Sequence, residues 1–438
     1  MRECDCAYCK NEKGFAFPPE LLERIASGDV VIFAGAGIST ENRAHCKTTL
    51  YEEIKHELAE ERDLDFPSLM DAYCAQPDGR IKLIQKIKKR VDYFSSFRGF
   101  RVPMTRFHRA ILPLYMITDI ITTNWDNYFE EESGFTPFVY DQDIALLEGS
   151  RRRVIKIHGS LTNFGSIVAT TSDYSSTFRR LTKGPLGAYV KNILSSKTII
   201  YTGYSLRDSN YLRIAKTIAQ MMGPFRRQSY FVSPNIDRDY LESTNLNIIP
   251  IETDGSFFFE QFRLHHKSSH QCIIDDSAFD DCHDLLLATN DLHHETADRY
   301  LSSRRPLLIL ALAYQDGLQD ALMRIKDQRR SGEYYNAHHL HNLVRGYEMR
   351  VRQYRKESNH WDACYCRGYQ NGLIYLLAGG GDVYPPPVEL LFDKAIDTVP
   401  KAMRFPRNKL PKRVQTELSR LSKRVGQGPL IPEHIPYA

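Results

Sequence analysis

Val30-Val31-Ile32-Phe33-Ala34-Gly35-Ala36-Gly37-Ile38-Ser39 decides the fold of this 438-residue chain. Its first five residues are apolar, β-branched or aromatic, with no polar alternation. A strand with one wet face would alternate. A continuous run reads as a strand buried on both faces, as in a parallel sheet. A glycine turn follows at once, and a helix-like stretch comes next, from Thr48 to Glu60. Glycines at such a strand-to-helix turn let backbone N–H groups approach a phosphate, although many such turns are only turns.

Working outward, further strands are expected at Met116–Thr122, Val154–Ile157, Thr198–Tyr201, Tyr230–Val232 and Ile248–Ile251, with a helix at Arg207–Met222. Residues 1–29 form a lead-in, with Pro18-Pro19 before a short helix at Glu20–Ala26. Residues 63–104 read as a helical insertion containing a basic helical piece at Ile81–Val91. Strands alternating with helices predict an α/β fold, a Rossmann-like doubly wound parallel sheet. After about residue 270 the strand pattern stops. Leu307–Ile325 and Tyr334–Leu377 have helical periodicity, Pro385-Pro386-Pro387 breaks it, and Val388–Ile396 resumes it. The expected division is a nucleotide-binding catalytic domain over 1–270 and a mainly α-helical domain over 271–438 for assembly or partner binding.

The bulk numbers exclude several classes. With 42 % hydrophobic and 26 % charged residues the composition is globular rather than disordered. The apolar run Leu307–Tyr314 is far short of the ~20 residues of a membrane span, and Met1-Arg2-Glu3-Cys4 opens no signal peptide. A net charge of +4 is too small to imply nucleic-acid binding by the whole chain. Nine scattered cysteines fit free thiols in a reducing cytoplasm.

Four polar segments follow buried strands. Gly35-Ala36-Gly37-Ile38-Ser39 is the first. Thr122-Thr123-Asn124-Trp125-Asp126 sits at the carboxyl end of its strand, where open α/β sheets bind ligands. Its hydroxyl, amide and carboxylate suit a ribose and an amide, or simply an Asx turn. Lys156-Ile157-His158-Gly159-Ser160 places a histidine at a sharp turn, where it can act as a base or be merely structural. Gly203-Tyr204-Ser205-Leu206-Arg207-Asp208 offers backbone and hydroxyl groups at a strand-to-helix junction, with Arg207 and Asp208 equally readable as first-turn helix residues facing water.

The order and placement of these segments resemble the sirtuin-like superfamily, over roughly residues 20–265. Sirtuins carry a Gly-Ala-Gly turn ending in serine, a Thr-Gln-Asn-x-Asp segment, a His-Gly pair and a Gly-x-Ser turn. The counterparts are Gly35 to Ser39, Thr122 to Asp126, His158-Gly159 and Gly203 to Ser205. The resemblance departs from the deacylases in three places. Thr40-Glu41-Asn42-Arg43 replaces a Pro-Asp-Phe-Arg segment. No cysteine lies between His158 and Gly203, where deacylases carry a zinc module. Thr123 stands in place of glutamine. These losses point to the sirtuin-like NAD-hydrolysing proteins of bacterial antiphage defence, some of which work in large assemblies with a HerA-like ATPase.

That resemblance implies NAD as substrate and no metal. Asn124 would position water or ribose hydroxyls, and His158 would bond a ribose hydroxyl or take a proton. Asp126 would contact the nicotinamide carboxamide. Gly35, Ala36, Gly37, Ser39, Thr123, Gly203 and Ser205 would line the rest of the dinucleotide site. It also implies a cytoplasmic homo-oligomer with a HerA-like ATPase partner. The competing functions are an NAD-dependent protein deacylase or ADP-ribosyltransferase, and a nucleotide-sensing assembly subunit without turnover.

Three other features carry less. Cys4, Cys6 and Cys9 could hold a metal with Cys364 or Cys366, but the spacing is poor for a zinc knuckle. The histidines around His265-His266 and His293-His294, near Cys272, Cys282 and His283, read as a solvated polar linker, whereas His338-His339 and His341 read as half-exposed on a helix. Lys401–Arg424 holds nine Lys/Arg and one acid, Glu417. It could follow a nucleic-acid backbone or dock as an amphipathic helix, and a solvated face is the plainer reading.

Overall fold

The strand at the head of the decisive stretch, β1 (Val30–Ala34), lies in the middle of a seven-stranded sheet, and all five of its residues are fully buried. Burying each large apolar side chain contributes on the order of 1.5–3 kcal/mol, which is why the run forms a central strand. This is a computed structural model, and it describes residues 10–43, 46–270, 272–425, 428 and 430–433. The other strands are β2 (Asp119–Thr122), β3 (Thr136–Phe138), β4 (Arg153–Lys156), β5 (Thr198–Thr202), β6 (Ser229–Ser233) and β7 (Ile248–Glu252). Their order is β3-β4-β2-β1-β5-β6-β7, and every pairing is parallel. The predicted Rossmann-like doubly wound sheet is therefore the observed fold. The chain winds away from β1 to β2 on one side and later to β5 on the other, so a topological switch point lies between β1 and β5.

Helices Pro185–Ser196 and Ser209–Met222 help cover one face of the sheet, packing on Val31, Phe33, Ile121, Ile155 and Tyr201. The insertion between β1 and β2 folds as helices Leu50–Glu57, Phe66–Cys74, Gly79–Ser96 and Arg98–Met104. A Thr49/Glu52 capping box starts the first of them. Met116–Ile117, expected to begin a strand, instead lie before β2. The short edge strand β3 was not anticipated.

The chain divides into two compact units, Met1–His270 and Gln271–Ala438. Four helices, Asp276–Ser303, Leu308–Gln328, Ala337–Lys356 and His360–Leu377, make up most of the second. Two of them cross closely at glycines: a Cβ on Gly317 would meet the Tyr365 carbonyl oxygen at 1.9 Å, and one on Gly368 the Tyr314 carbonyl at 1.9 Å. Val388–Ile396 is not a helix but an irregular segment after the triple proline. The supposed histidine-rich linker is also helical. His265 and His266 lie in helix Gly255–His270, with His266 buried, and His293-His294 in helix Asp276–Ser303.

The basic C-terminal run forms helices Val399–Arg404 and Lys412–Val425. Its apolar residues Val414, Leu418 and Leu421 are buried within this unit. The lone acid is explained as well: the Glu417 carboxylate accepts the His360 and Trp361 backbone N–H groups, each at 2.9 Å, at the start of helix His360–Leu377. The apolar face is thus not left over for a partner. No described helix is long and apolar enough to cross a membrane. Cys4, Cys6 and Cys9 lie outside the described residues. Burial pushes the Cys364 and Cys366 thiols up to about 12, so both stay protonated. The described residues contain no His/Cys/Asp/Glu group suited to a metal.

The loops after β1 and β5 meet backbone to backbone. Gly35 N–H donates to the Thr202 carbonyl at 3.0 Å and Gly37 N–H to the Gly203 carbonyl at 2.9 Å. Gly203 has φ +59°, and a Cβ there would lie 2.4 Å from the Ile38 nitrogen. Gly203→Ala should therefore destabilise the first unit by about 2 kcal/mol or more. Gly99→Ala, whose added methyl meets open space, should change stability by no more than about 1 kcal/mol. Urea denaturation followed by circular dichroism compares the two.

Candidate functional site

The turn glycines are required first by chain packing. Because the Gly35 and Gly37 amides bond the β5 loop, a phosphate would have to be met by other groups in the turn. Ser39, just beyond, is fully buried and reaches across to the β2 loop. Its Oγ donates to Asp126 Oδ2 at 3.1 Å and accepts from Asn124 Nδ2 at 3.4 Å. This polarity fixes the Asn124 amide, with the NH₂ turned to Ser39. The Asn124 carbonyl oxygen is buried and has no hydrogen-bond partner among the described residues. An orphaned buried acceptor costs stability, and here it identifies a point where a ligand donor would be welcome.

Asp126 is held from several directions. Its Oδ1 accepts the Tyr128 N–H at 3.3 Å, and its backbone carbonyl accepts from Lys156 Nζ at 2.6 Å. Lys156 is itself fully buried and also bonds Asn127 Oδ1 at 3.2 Å and Glu130 Oε1 at 2.8 Å. Burial raises the Asp126 carboxyl from 3.8 to about 6, against the opposing pull of Lys156.

The β4 loop supplies His158, which is 7 % exposed. Gly159 has φ +89°, and a Cβ on it would lie 2.0 Å from the Ser166 carbonyl oxygen, so only glycine allows the turn that follows the histidine. His158 Nε2 lies 3.1 Å from Asp208 Oδ2, and its ring centroid is 4.9 Å from that of Tyr174. Of the two readings the sequence left open for Asp208, the water-facing one does not hold: its side chain is 7 % exposed. It caps helix Ser209–Met222 by accepting from the Asn210 and Tyr211 N–H groups at 2.9 and 3.1 Å. Burial alone would raise the Asp208 carboxyl, but the bond to His158 and the two backbone N–H groups hold it below the ordinary carboxylate value. An ionised Asp208 can only accept, so the hydrogen of this bond sits on His158 Nε2. An aspartate at a strand-to-helix junction is an N-cap signal, and that signal could have found it.

Beside these groups, a cleft of about 720 Å³ opens at the carboxyl ends of β1, β5, β6 and β7. Gly37, Gly203 and Ser205 line it, together with Glu41, Arg43 and Arg207, none of which was among the expected site residues. Asn124, Asp126, His158 and Ser39 do not line it and are nearly or fully buried. Thr123 and Ala36 are half-buried, and the Thr123 N–H bonds the Ala34 carbonyl. Glu41 accepts the Leu50 N–H at 3.2 Å at the start of helix Leu50–Glu57, and burial pushes its carboxyl up to about 7 in spite of Arg90.

A parallel α/β sheet carries four polar loops at its carboxyl edge, and residues 118–249 match the family described as SIR2-like domain. Among similar curated proteins is NAD(+) hydrolase ThsA of Cytobacillus dafuensis, 29 % identical over 228 residues, which are 50 % of this chain and 44 % of that protein. ThsA of Enterococcus faecium is 25 % identical over 260 residues, 56 % of this chain and 49 % of the relative. Defense-associated sirtuin 2 of Bacillus subtilis is 24 % identical over 249 residues, 52 % and 24 % respectively. The chain thus spans about half the length, or less, of the relatives it matches. Its resemblance to sirtuin-like proteins of antiphage defence, first carried by four short motifs, is supported by these similarities.

The raised carboxyl of Asp126 has a measurable consequence. The folded chain holds this proton at pH values where the unfolded chain has lost it. The stability linked to Asp126 is therefore greatest below 3.8 and is lost as pH rises to about 6. Asp126→Asn should flatten that part of the stability–pH profile, measured as denaturation midpoints across the interval. An unchanged slope would show that Asp126 is not protonated in the folded state.

Proposed function

We propose that this protein hydrolyses NAD+ at the nicotinamide–ribose bond, giving nicotinamide and ADP-ribose, and that it serves antiphage defence by depleting NAD. The observation that carries the reading is the pairing of a fixed, unsatisfied Asn124 carbonyl with an aspartate-held histidine, at the carboxyl edge of a SIR2-like sheet. The naming of similar proteins as NAD(+) hydrolases supports the same chemistry.

Breaking the C–N bond leaves a ribosyl centre with oxocarbenium character, which water must reach on one face. The Asn124 carbonyl, aimed by Ser39, accepts a hydrogen bond from that water or from a ribose hydroxyl. His158 Nδ1 takes the proton that water loses, and Asp208 stabilises the imidazolium that results. Asp126, carrying a proton part of the time near pH 6, faces the nicotinamide carboxamide and can donate to it or accept from it. The rest of the dinucleotide occupies the cleft. Gly37, Gly203 and Ser205 form its wall, Gly35, Ala36, Ser39 and Thr123 hold the loops beside it, and Arg43 and Arg207 offset the pyrophosphate charge.

Asn124 and His158 lie outside the open cleft, so productive binding requires the loops above them to rearrange. We infer that assembly of the chain into a cytoplasmic homo-oligomer, through the helical unit and with a HerA-like ATPase as partner, drives that rearrangement. A sirtuin-like unit followed by a helical unit is the layout that supports it.

Asn124→Ala and His158→Ala should each lower nicotinamide release from NAD by about 10²-fold or more, with thermal unfolding unchanged. Release at the parental rate by either variant would remove that residue from the mechanism. Gating predicts that specific activity rises with protein concentration in step with size in solution. A monomer with concentration-independent full activity would sink it.

A further inference from the structure

A second cleft, of about 750 Å³, lies on the helical insertion and belongs to none of the chemistry above. Lys47 and Glu53 form one side, and Lys82, Gln85, Lys86 and Lys89 of helix Gly79–Ser96 form the other. The spacing of Lys82, Lys86, Lys89 and Tyr93 is i, i+4, i+7, i+11. They make one continuous stripe about 16 Å long at a rise of 1.5 Å per residue. Phe97 and Phe100 extend the stripe past the helix end. Tyr93, Phe97 and Phe100 are 52 %, 53 % and 38 % exposed, yet they pack on one another with centroids 5.4 to 6.2 Å apart.

The nearby acids are already engaged. Glu53 and Glu41 pair with the buried Arg90 guanidinium, Glu57 with Lys86, and Asp92 with Lys88. Lys47, Lys82 and Lys89 have no ion pair or side-chain hydrogen bond among the described residues. Lys47, Lys82 and Lys89 are thus uncompensated, Lys86 between them shares its charge with Glu57, and a cationic row that continues into exposed aromatic rings matches what single-stranded nucleic acid needs: a track for the phosphates and platforms for unstacked bases. A duplex keeps its bases stacked and would leave the rings unused. A free mononucleotide would reach only part of the stripe.

We propose that this cleft binds single-stranded nucleic acid, with Lys82, Lys86 and Lys89 on the phosphates and Tyr93 and Phe97 stacked against bases. The proposal does not depend on the hydrolase reading, since the residues that line this cleft are not those that line the first one. It also differs from the basic helix Lys412–Val425, where a charge stripe carries no exposed aromatic companion.

Fluorescence anisotropy of a labelled oligothymidylate titrated with the full chain, over a range of salt, tests it. Lys82→Gln/Lys86→Gln/Lys89→Gln should weaken binding roughly tenfold or more at low salt. It should also reduce the log–log salt slope by about 2, at ~0.7 per phosphate contact. Tyr93→Ala/Phe97→Ala should weaken binding roughly tenfold with the slope unchanged. Lys412→Gln/Arg413→Gln/Lys423→Gln should leave it intact, and thermal unfolding confirms that each variant is folded. The proposal is overturned if the parent chain does not bind, if only the Lys412 variant loses binding, or if duplex binds as well as single strand and the aromatic variant is unaffected.

Discussion

The site depends on the close approach of two backbone loops, Gly35–Gly37 after β1 and Gly203 after β5. Adjacent parallel strands leave little room above their carboxyl ends, and here that room is taken by main chain rather than side chains. The contact sets Ser39 at its buried position, and Ser39 in turn aims Asn124 and meets Asp126. On the other side, Gly203 starts the turn that delivers Ser205 to the cleft and Asp208 to the helix cap. A side chain at any of the three glycines would separate the loops and disperse every polar group that follows.

Burial acts on two aspartates in opposite ways, and local hydrogen bonding decides the sign. Asp126 faces one serine hydroxyl, one amide and a lysine that is shared among several oxygens, so desolvation prevails and its carboxyl rises. Asp208 has a histidine and two helix N–H groups directed at it, so the charged form is favoured. One carboxylate is thus prepared to exchange a proton near neutrality and the other to remain an anion. The same fold edge thereby provides both kinds of acid–base partner without a metal ligand set among the described residues.

How much of this was legible in the sequence follows from the range of each interaction. The central strand was legible because its five consecutive apolar residues have one low-energy placement. The glycine turns were legible as turns, but their reason was not: whether a glycine serves a phosphate or a neighbouring loop depends on a partner about 165 residues away in the chain. Asp208 stayed ambiguous because an N-cap and a solvent-facing first-turn residue look alike until the histidine is placed against it. Val388–Ile396 has helical periodicity, yet its apolar residues are consumed by packing in an irregular segment. The histidine pairs near residues 265 and 293 looked polar and loose because composition does not reveal which face of a long helix they occupy. β3 is only three residues long at a sheet edge, too short to leave a period.

The bond between His158 and Asp208 joins β4 to β5, strands that are not neighbours: β2 and β1 lie between them. At about 4.8 Å per strand, the two loops must together cross some 14 Å of sheet edge, directly over the strands that carry Asn124 and Ser39. The bond therefore works as a clasp between the two loops. Because Asp208 also anchors the first turn of helix Ser209–Met222, displacing that helix along its axis would pull on the imidazole, so the position of the helix and that of the histidine are set by one carboxylate.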